Sequence, residues 1–187
     1  MFVFRLYSWL TQLIGKILPE WLLPLFARII FLGVLFVPYW RSAITKFGEG
    51  LTGLFVMSPG AYVQIFPKAM ESVGYDKSQL SAFHHLIVFF GTYSEIILPV
   101  LIVVGLATQL AALGMIGFLI VQSWVDVFGH GLSGGDIGSW FDNVPYSILF
   151  DQRAFWIFLL LYLVIKGAGK FSLDTLVCRM ISNSQKS

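Results

Sequence analysis

The chain has 187 residues, of which 57% are hydrophobic and 12% are charged, and its mean hydropathy is +0.81. Soluble domains carry about 25% charged residues, so this composition excludes a water-soluble enzyme and a disordered chain. The net charge of +2 is too small to indicate nucleic-acid binding. The composition instead predicts a protein whose main partner is the lipid bilayer.

Residues 1–18 predict an amphipathic helix that ends before Pro19. Its polar side chains fall opposite a stripe of apolar ones at i, i+3, i+4 and i+7 spacing: Phe2, Leu6, Trp9, Leu10, Leu13, Ile14 and Ile17. We expect this helix to lie flat at the membrane surface with its aromatic side chains inserted. The alternative is a poor additional span. Charges interrupt the apolar run, and no small-residue cleavage site follows it, so the segment does not resemble a signal peptide.

Four later segments are apolar enough to cross a membrane as helices of about 20 residues. The predicted spans are 22–46, 84–106, 108–128 and 148–168, and a tail follows over 169–187. Helices satisfy their backbone hydrogen bonds internally, as lipid requires. The predicted fold class is therefore all-α, a four-transmembrane-helix bundle with an N-terminal interfacial helix, in one membrane domain over 1–187.

The connections between these spans differ in character. Ala107–Gln109 is so short that the second and third spans must form a tight antiparallel hairpin. Residues 47–83 include LTGLFVMSPGAYVQIF, which is too apolar to lie free in water, so we expect this loop to fold onto the bundle or dip into the membrane surface. The loop before the fourth span is rich in Gly and Asp, which favour turns. On the third span, Ala111, Gly114 and Gly117 predict close helix packing rather than a ligand cleft.

The Lys and Arg residues near the span ends predict the orientation. Six lie at the end that carries both termini, and five lie at the other end: Arg5, Lys16, Lys166, Lys170, Arg179 and Lys186 against Arg41, Lys46, Lys68, Lys77 and Arg153. This small excess favours both termini in the cytoplasm and the two long loops outside.

Two ionisable residues lie well inside the predicted spans, Arg28 in the first and Glu95 in the second. A charged side chain at membrane depth costs at least about 2.5–3.5 kcal/mol, so it should face the bundle and find a partner. The predicted depths of Arg28 and Glu95 differ by roughly 7 Å at 1.5 Å rise per residue. We therefore predict that the two form an ion pair or share a water-filled pocket. Pro99 removes the helical hydrogen bond of the Glu95 carbonyl, which adds negative potential at that depth.

Further polar residues extend this pattern towards the outer end of the spans. If the helical stripes converge, a polar track joins Glu95 to five others: Lys46, His84, Gln122, Asp126 and His130. His84, His85 and His130 with Asp126 offer possible ligands for zinc or copper. The spacing does not favour this interpretation, since adjacent histidines on a helix point about 100° apart. No metal site is therefore predicted.

The single cysteine, Cys178, limits the chemistry of the chain. Thiol–disulfide exchange within one chain needs two sulfur atoms, and iron–sulfur clusters and cysteine-ligated zinc sites need several ligands. The sequence therefore has no dithiol or iron–sulfur signature, and it has no haem signature. A quinone is a possible cofactor because aromatic residues lie at suitable depths, although Trp and Tyr are common at membrane interfaces.

Three stretches of the sequence resemble the DoxX family of four-helix membrane proteins. ARIIFLGVLFVPYWRSAITKF (27–47) resembles its first helix, SEIILPVLIVVGLATQLAALGM (94–115) its second and third helices, and KGAGKFSLDTLV (166–177) its C-terminal signature. The matching signature residues are Gly167, Gly169, Ser172, Leu173 and Asp174. The second stretch is similar to the branch encoded beside metal-buffering peptide systems. The glycines also fit the end of the fourth helix, and Ser172 or Asp174 can cap a short helix after it.

The resemblance implies a multi-pass protein of the bacterial inner (plasma) membrane that serves a redox or metal/oxidative-stress system. It implies protein partners or a homo-oligomer and contact with quinone, but no agreed catalytic residues. Two alternatives stay open. One is a small transporter or permeation subunit with a polar path through Arg28 and Glu95, and the other is a membrane anchor or assembly factor without catalysis.

Overall fold

The computed structural model describes residues 1–17 and 19–185, and within them it is all-α. The described residues contain nine α-helices and no strand beyond one isolated bridge between Phe47 and Met57. The helices are α1 Phe2–Ile17, α2 Leu22–Phe31, α3 Val37–Lys46, α4 Pro59–Ile65, α5 Pro67–Ser72, α6 Ala82–Val104, α7 Thr108–Trp124, α8 Ala154–Lys166 and α9 Leu173–Ser184. The predicted fold class is confirmed.

Four continuous helical stretches are long and apolar enough to cross a membrane. They are the first span Leu22–Lys46, the second Ala82–Val104, the third Thr108–Gly129 and the fourth Ile148–Lys166. Their bounds lie within two residues of the positions expected from the sequence. Consecutive spans run antiparallel, and the first also packs on the fourth, which closes the bundle. Both termini therefore belong to one end, called here the tail end, and the loops 47–81 and 130–147 belong to the other, called the loop end.

Three of the spans contain a π-helical segment, at Leu32–Phe36, Val125–Gly129 and Ile148–Arg153. In the first span the cause is visible in the sequence, because Pro38 lacks the N–H that the carbonyl four residues earlier would accept. Segments of this kind often occur at functional sites. Two of the three carry a charged residue, Asp126 and Arg153, that faces the bundle interior.

The apolar core of the bundle is formed by all four spans, and Phe31, Leu35, Met115, Leu119, Leu160 and Leu163 are fully or almost fully buried there. The short connection between α6 and α7 forms the expected tight hairpin, with Gly105 and Ala107 both in the left-handed region. Small residues of α7 such as Ala111 and Ala112 are buried in this core.

The long loop at the loop end packs on the bundle, as expected from its apolar sequence. Helices α4 and α5 form a second hydrophobic cluster with the start of α6, built around Met57, Tyr62, Met70 and Val88. Tyr62 lies outside the spans, and its burial raises the pKa of its phenol above the ordinary value. Its oxygen lies 2.6 Å from Nδ1 of His85, which ties the loop to the second span.

The N-terminal helix α1 differs from the rest of the chain, because every one of its described side chains is exposed. Phe2, Phe4 and Trp9 expose 57% or more of their surface. The predicted interfacial helix also includes Leu18, and the predicted tail includes Lys186 and Ser187; these three lie outside the described residues.

Candidate functional site

A cavity of about 960 Å³ lies between the first three spans, and Arg153 and Trp156 of the fourth also line it. Each span contributes one stripe of residues at helical spacing: Leu35, Tyr39, Ser42 and Lys46 from the first, Ile87, Gly91, Glu95 and Leu98 from the second, and Gly114, Phe118, Gln122 and Asp126 from the third. The space exists partly because glycines face it. A Cβ at Gly114 would lie 3.0 Å from Leu98, whereas one at Gly117 would have no neighbour within 4 Å. The interpretation of Gly117 as a packing residue is therefore wrong.

The Lys46–Glu95 ion pair forms one part of the cavity wall. The Lys46 ammonium donates to both Glu95 carboxylate oxygens at 2.6 Å and to the Ser42 hydroxyl at 2.7 Å. The Lys46 side chain is 2% exposed and the Glu95 side chain 8%. All three ammonium hydrogens thus have acceptors, which is the condition for keeping a charged pair away from water.

A second ion pair, between Arg153 and Asp126, joins the π-helical segments of the fourth and third spans. Arg153 also donates from Nη1 to the Ser123 hydroxyl at 2.6 Å. The side chain of Arg153 is only 5% exposed, and its buried Nε–H has no hydrogen-bond partner among the described residues. Arg153 also lines the cavity, so a ligand oxygen that reached this buried Nε–H would supply its missing acceptor.

Two neutral hydrogen bonds complete the polar surface of the cavity. The Tyr39 hydroxyl donates to Oε1 of Gln122 at 2.7 Å and joins the first span to the third. Nearer the loop end, Nε2 of His130 lies 2.8 Å from the Gln64 carbonyl oxygen. The cavity thus combines two cations, two anions and several neutral polar groups, and apolar side chains form the rest of its lining.

The predicted pairing of Arg28 with Glu95 is wrong. The Arg28 guanidinium donates instead to four backbone carbonyls, those of Ile102, Val103, Ala168 and Phe171. The first two are carbonyls of the last turn of α6, where acceptors lack the usual helical partner, although the Ile102 carbonyl also accepts from the Gly105 amide at 3.2 Å. Arg28 therefore joins the first span to the second and to the segment after the fourth at the tail end, away from the cavity lining.

The five predicted signature residues lie between the end of the fourth span and the start of α9, in the segment that also offers the Ala168 and Phe171 carbonyls to Arg28. Gly167 and Gly169 have φ of +71° and +75° and end the fourth span, and Ser172 caps α9 by accepting from the Thr175 amide at 3.3 Å. Asp174 accepts from the amides of Ala107 and Thr108 at 2.6 and 3.1 Å. Leu173 begins α9 and is 40% exposed. The signature thus fastens the tail to the α6–α7 hairpin.

Of the predicted polar track, the structure brings together Lys46, Glu95, Gln122, Asp126 and His130. His84 lies outside the cavity lining: its Nδ1 is 2.8 Å from the Ser81 hydroxyl, and its ring packs on Phe66. No group of three potential metal-ligating residues occurs within residues 1–17 and 19–185.

Arg153 was not predicted as a cavity residue, because it was counted among the basic residues at the outer span ends. Asp126 was the available signal, since a carboxylate inside a span requires a cation and Arg153 begins the neighbouring helix. Ser42 was also missed, although it lies one helical turn before Lys46.

Comparison with known proteins gives no further assignment: no family model, curated protein or solved structure matches the chain.

Proposed function

We propose that this protein is a DoxX-like subunit of a bacterial inner-membrane redox or metal/oxidative-stress system, and that it binds an isoprenoid quinone in the cavity between the first three spans. Both termini face the cytoplasm in this proposal. The observation that carries it is a large cavity with a charge-balanced polar wall beside lipid-facing apolar residues.

Access from the lipid is the first argument. The cavity lining includes Phe83, Leu86 and Phe90 of the second span and Val121 of the third, each at least 56% exposed. Exposed apolar residues in a span face the acyl chains of the bilayer. A ligand with a long apolar tail can therefore enter sideways and leave its tail in lipid.

The charge of the cavity selects the kind of headgroup. Lys46 and Arg153 are matched by Glu95 and Asp126 within the same lining. A carboxylate or ammonium ligand would add an unbalanced charge in a poorly solvated place, which is costly. A neutral headgroup that carries oxygen atoms fits better.

The unpaired Nε–H donor of Arg153 favours a headgroup that carries a hydrogen-bond acceptor. A quinone carbonyl oxygen can accept from Nε–H, which satisfies a buried donor whose isolation costs about 1–3 kcal/mol or more. The nearby Tyr39–Gln122 pair offers a further donor and acceptor if it opens. Both the quinone and the quinol can therefore be bound by the same groups.

A partner protein supplies or accepts the electrons in this proposal. Interconversion of a quinone and a quinol transfers two electrons and two protons. The single cysteine of the chain does not form an internal dithiol that could exchange them. The proposed role is therefore to present the quinone to a redox partner rather than to catalyse alone.

Paired glycine variants test quinone binding. Gly117→Leu adds bulk to the cavity at a position where no atom lies within 4 Å of a Cβ; Gly33→Leu is the matched control, with equally open surroundings of the Cβ outside the cavity lining. Quenching of tryptophan fluorescence by a short-chain ubiquinone in nanodiscs measures affinity. We expect Gly117→Leu to weaken binding at least about tenfold and Gly33→Leu to leave it unchanged. Equal affinities for both variants would refute the proposal.

A charge-conserving variant tests the headgroup contact. Arg153→Lys keeps a cation beside Asp126 but removes the Nε–H donor. A hydrogen bond to a charged group contributes about 1.5–3 kcal/mol, so we expect quinone affinity to fall by about tenfold or more. Unchanged affinity would place the quinone elsewhere.

The permeation alternative receives less support. A path through Arg28 and Glu95 requires the two side chains to face one space, but Arg28 is held by four carbonyls outside the cavity lining. Flux into proteoliposomes that Glu95→Gln abolishes would favour permeation over our proposal. Mutational effects on assembly alone would favour the anchor.

A further inference from the structure

A second, separate cavity lies at the tail end, where α9 meets the hairpin between α6 and α7. It has a volume of about 920 Å³ and is called here the tail groove. Its lining comprises the start of α7 from Ala107 to Leu110, the segment after α8 from Gly167 to Lys170, and one face of α9. No residue of the tail groove lines the quinone cavity described above.

We propose that the tail groove binds the phosphate headgroup of an anionic phospholipid from the inner leaflet. Two basic residues, Lys170 and Arg179, line it, one before α9 and the other within it. The neutral side chains of Ser182 and Asn183 add hydrogen-bonding groups. The only acidic residue of the lining, Asp174, is already occupied by two backbone amides. Basic pockets of this kind at the cytoplasmic side hold phospholipid headgroups.

A buried hydroxyl in the tail groove independently indicates a ligand. Thr108 is fully buried, and its Oγ1 has no hydrogen-bond partner among the residues that the structure describes. Thr108 nevertheless lines the groove. An isolated buried hydroxyl is unfavourable unless something bonds to it. A phosphate oxygen between this hydroxyl and the two cations would supply the missing partner.

The surroundings of the tail groove identify the phosphate as that of a lipid. Helix α9 is amphipathic: its polar face lines the groove, while Leu176, Met180 and Ile181 on the other face are each more than half exposed. Leu110 and Ile165, on the neighbouring spans, are 73% and 71% exposed. Leu110 itself lines the groove, so acyl chains attached to a headgroup in the groove would cover exposed apolar surface there, whereas a free phosphate would leave it bare.

Native mass spectrometry of the purified protein, titrated with phosphatidylglycerol or phosphatidylcholine, tests this assignment. We expect tighter binding of phosphatidylglycerol by about tenfold, and loss of that preference in the double variant Lys170→Gln/Arg179→Gln. The double variant Arg5→Gln/Lys16→Gln removes the same charge from α1 and should keep the preference. Equal binding of the two lipids, or equal effects of the two double variants, would overturn the proposal.

Thr108→Val separates binding from folding. The substitution removes the hydroxyl at nearly constant shape, so the lipid-free protein should melt at the same temperature or higher, because no hydrogen bond is lost. Affinity for phosphatidylglycerol should fall by about fivefold. Unchanged affinity would show that the hydroxyl does not bind the headgroup and would overturn the site.

Competition distinguishes the two sources of phosphate. Inorganic phosphate at millimolar concentration should not displace phosphatidylglycerol if acyl chains contribute to binding. Displacement would assign the groove to a soluble phosphate compound and refute the lipid assignment. Neither result depends on quinone binding at the other cavity.

Discussion

Two buried cations on the first span, Arg28 and Lys46, meet opposite kinds of surroundings. Arg28, 7% exposed, lies at the tail end and donates only to backbone carbonyls; Lys46, 2% exposed, lies at the loop end and pairs with a carboxylate. The planar guanidinium can reach several carbonyls at once, whereas the compact ammonium suits three close acceptors. At both positions the shape of the cationic group therefore matches the acceptors that surround it.

The difference shows why burial of a charge does not by itself identify a functional site. The carbonyls around Arg28 belong to the last turn of α6 and to the segment between α8 and α9, so this contact is a structural clamp. The Lys46–Glu95 pair borders empty space that a ligand can enter. The distinguishing feature is the open volume beside the charge, which only the three-dimensional arrangement shows.

The largest expected effect comes from removing the partner of Lys46. Glu95→Ala leaves a buried ammonium without its carboxylate, and breaking a buried pair costs about 3–5 kcal/mol. For a chain of this size we expect a fall in melting temperature of roughly 10 °C. Thermal unfolding in detergent measures this, and Glu71→Ala, on exposed α5 surface, should change the melting temperature by less than about 2 °C.

The double variant Glu95→Ala/Lys46→Met sharpens this prediction. Replacing both charges with apolar groups removes the unpaired ammonium and should restore most of the lost stability, because buried pairs are seldom better than apolar packing. Equal melting temperatures for Glu95→Ala and Glu71→Ala would contradict the importance of the pair.

A smaller loss is expected when Arg28 becomes lysine. Arg28→Lys keeps the charge but replaces a fork that reaches four carbonyls with three donors at one point. Some of these carbonyls then lose their partner, so we expect a destabilisation of about 2–3 kcal/mol, measured as a lower melting temperature. Arg41→Lys, at an exposed position, serves as the control and should be neutral. A neutral Arg28→Lys would show that the clamp is not specific for arginine.

Much of the fold could be predicted because the bilayer restricts what an apolar chain can form. Span length, loop length and the apolar loop over 47–83 each led to an element that the structure contains. The π-helical segments were not predicted, since they depend on how neighbouring spans pack as well as on residues such as Pro38.

The candidate site was only partly predictable. Helical spacing placed Lys46, Glu95, Gln122 and Asp126 on converging stripes, and all four line the cavity. The depth estimate paired Glu95 with Arg28, because it ignored backbone carbonyls at the ends of α6 as acceptors. A second cation, Lys46, lay closer to the cavity in the actual packing. Sequence spacing gives the face of each helix but not the distance between faces.

Gly105 offers a further test of the arginine clamp with an intermediate effect. Its φ is +73°, and a Cβ there would lie 2.9 Å from Cζ of Arg28 and 2.7 Å from Cβ of Ser172. We expect Gly105→Ala to destabilise the protein by about 1–3 kcal/mol through backbone strain and displacement of the guanidinium. Gly33→Ala, where no atom lies within 4 Å, should be neutral or raise the melting temperature. An unchanged melting temperature for Gly105→Ala would show that the Arg28 guanidinium can move without loss of stability.

The smallest effect concerns two turns at the loop end, each held by an aspartate carboxylate. Hydrogen bonds lower the pKa of the Asp76 carboxyl, and the bond from the Ser78 hydroxyl is the largest cause. Hydrogen bonds also lower the pKa of the Asp142 carboxyl, where the bond from the Val144 amide is the largest cause. A lowered pKa stabilises the turn above the unfolded value of about 3.9, and this contribution is lost as pH falls through the lower folded pKa. Hydrogen exchange at the Ser78 and Val144 amides should therefore lose protection between about pH 4 and pH 2.

Asp76→Asn keeps an acceptor without titrating, so protection at Ser78 should become independent of pH. If wild-type protection were equally flat, the carboxylate would have no part in holding the turn.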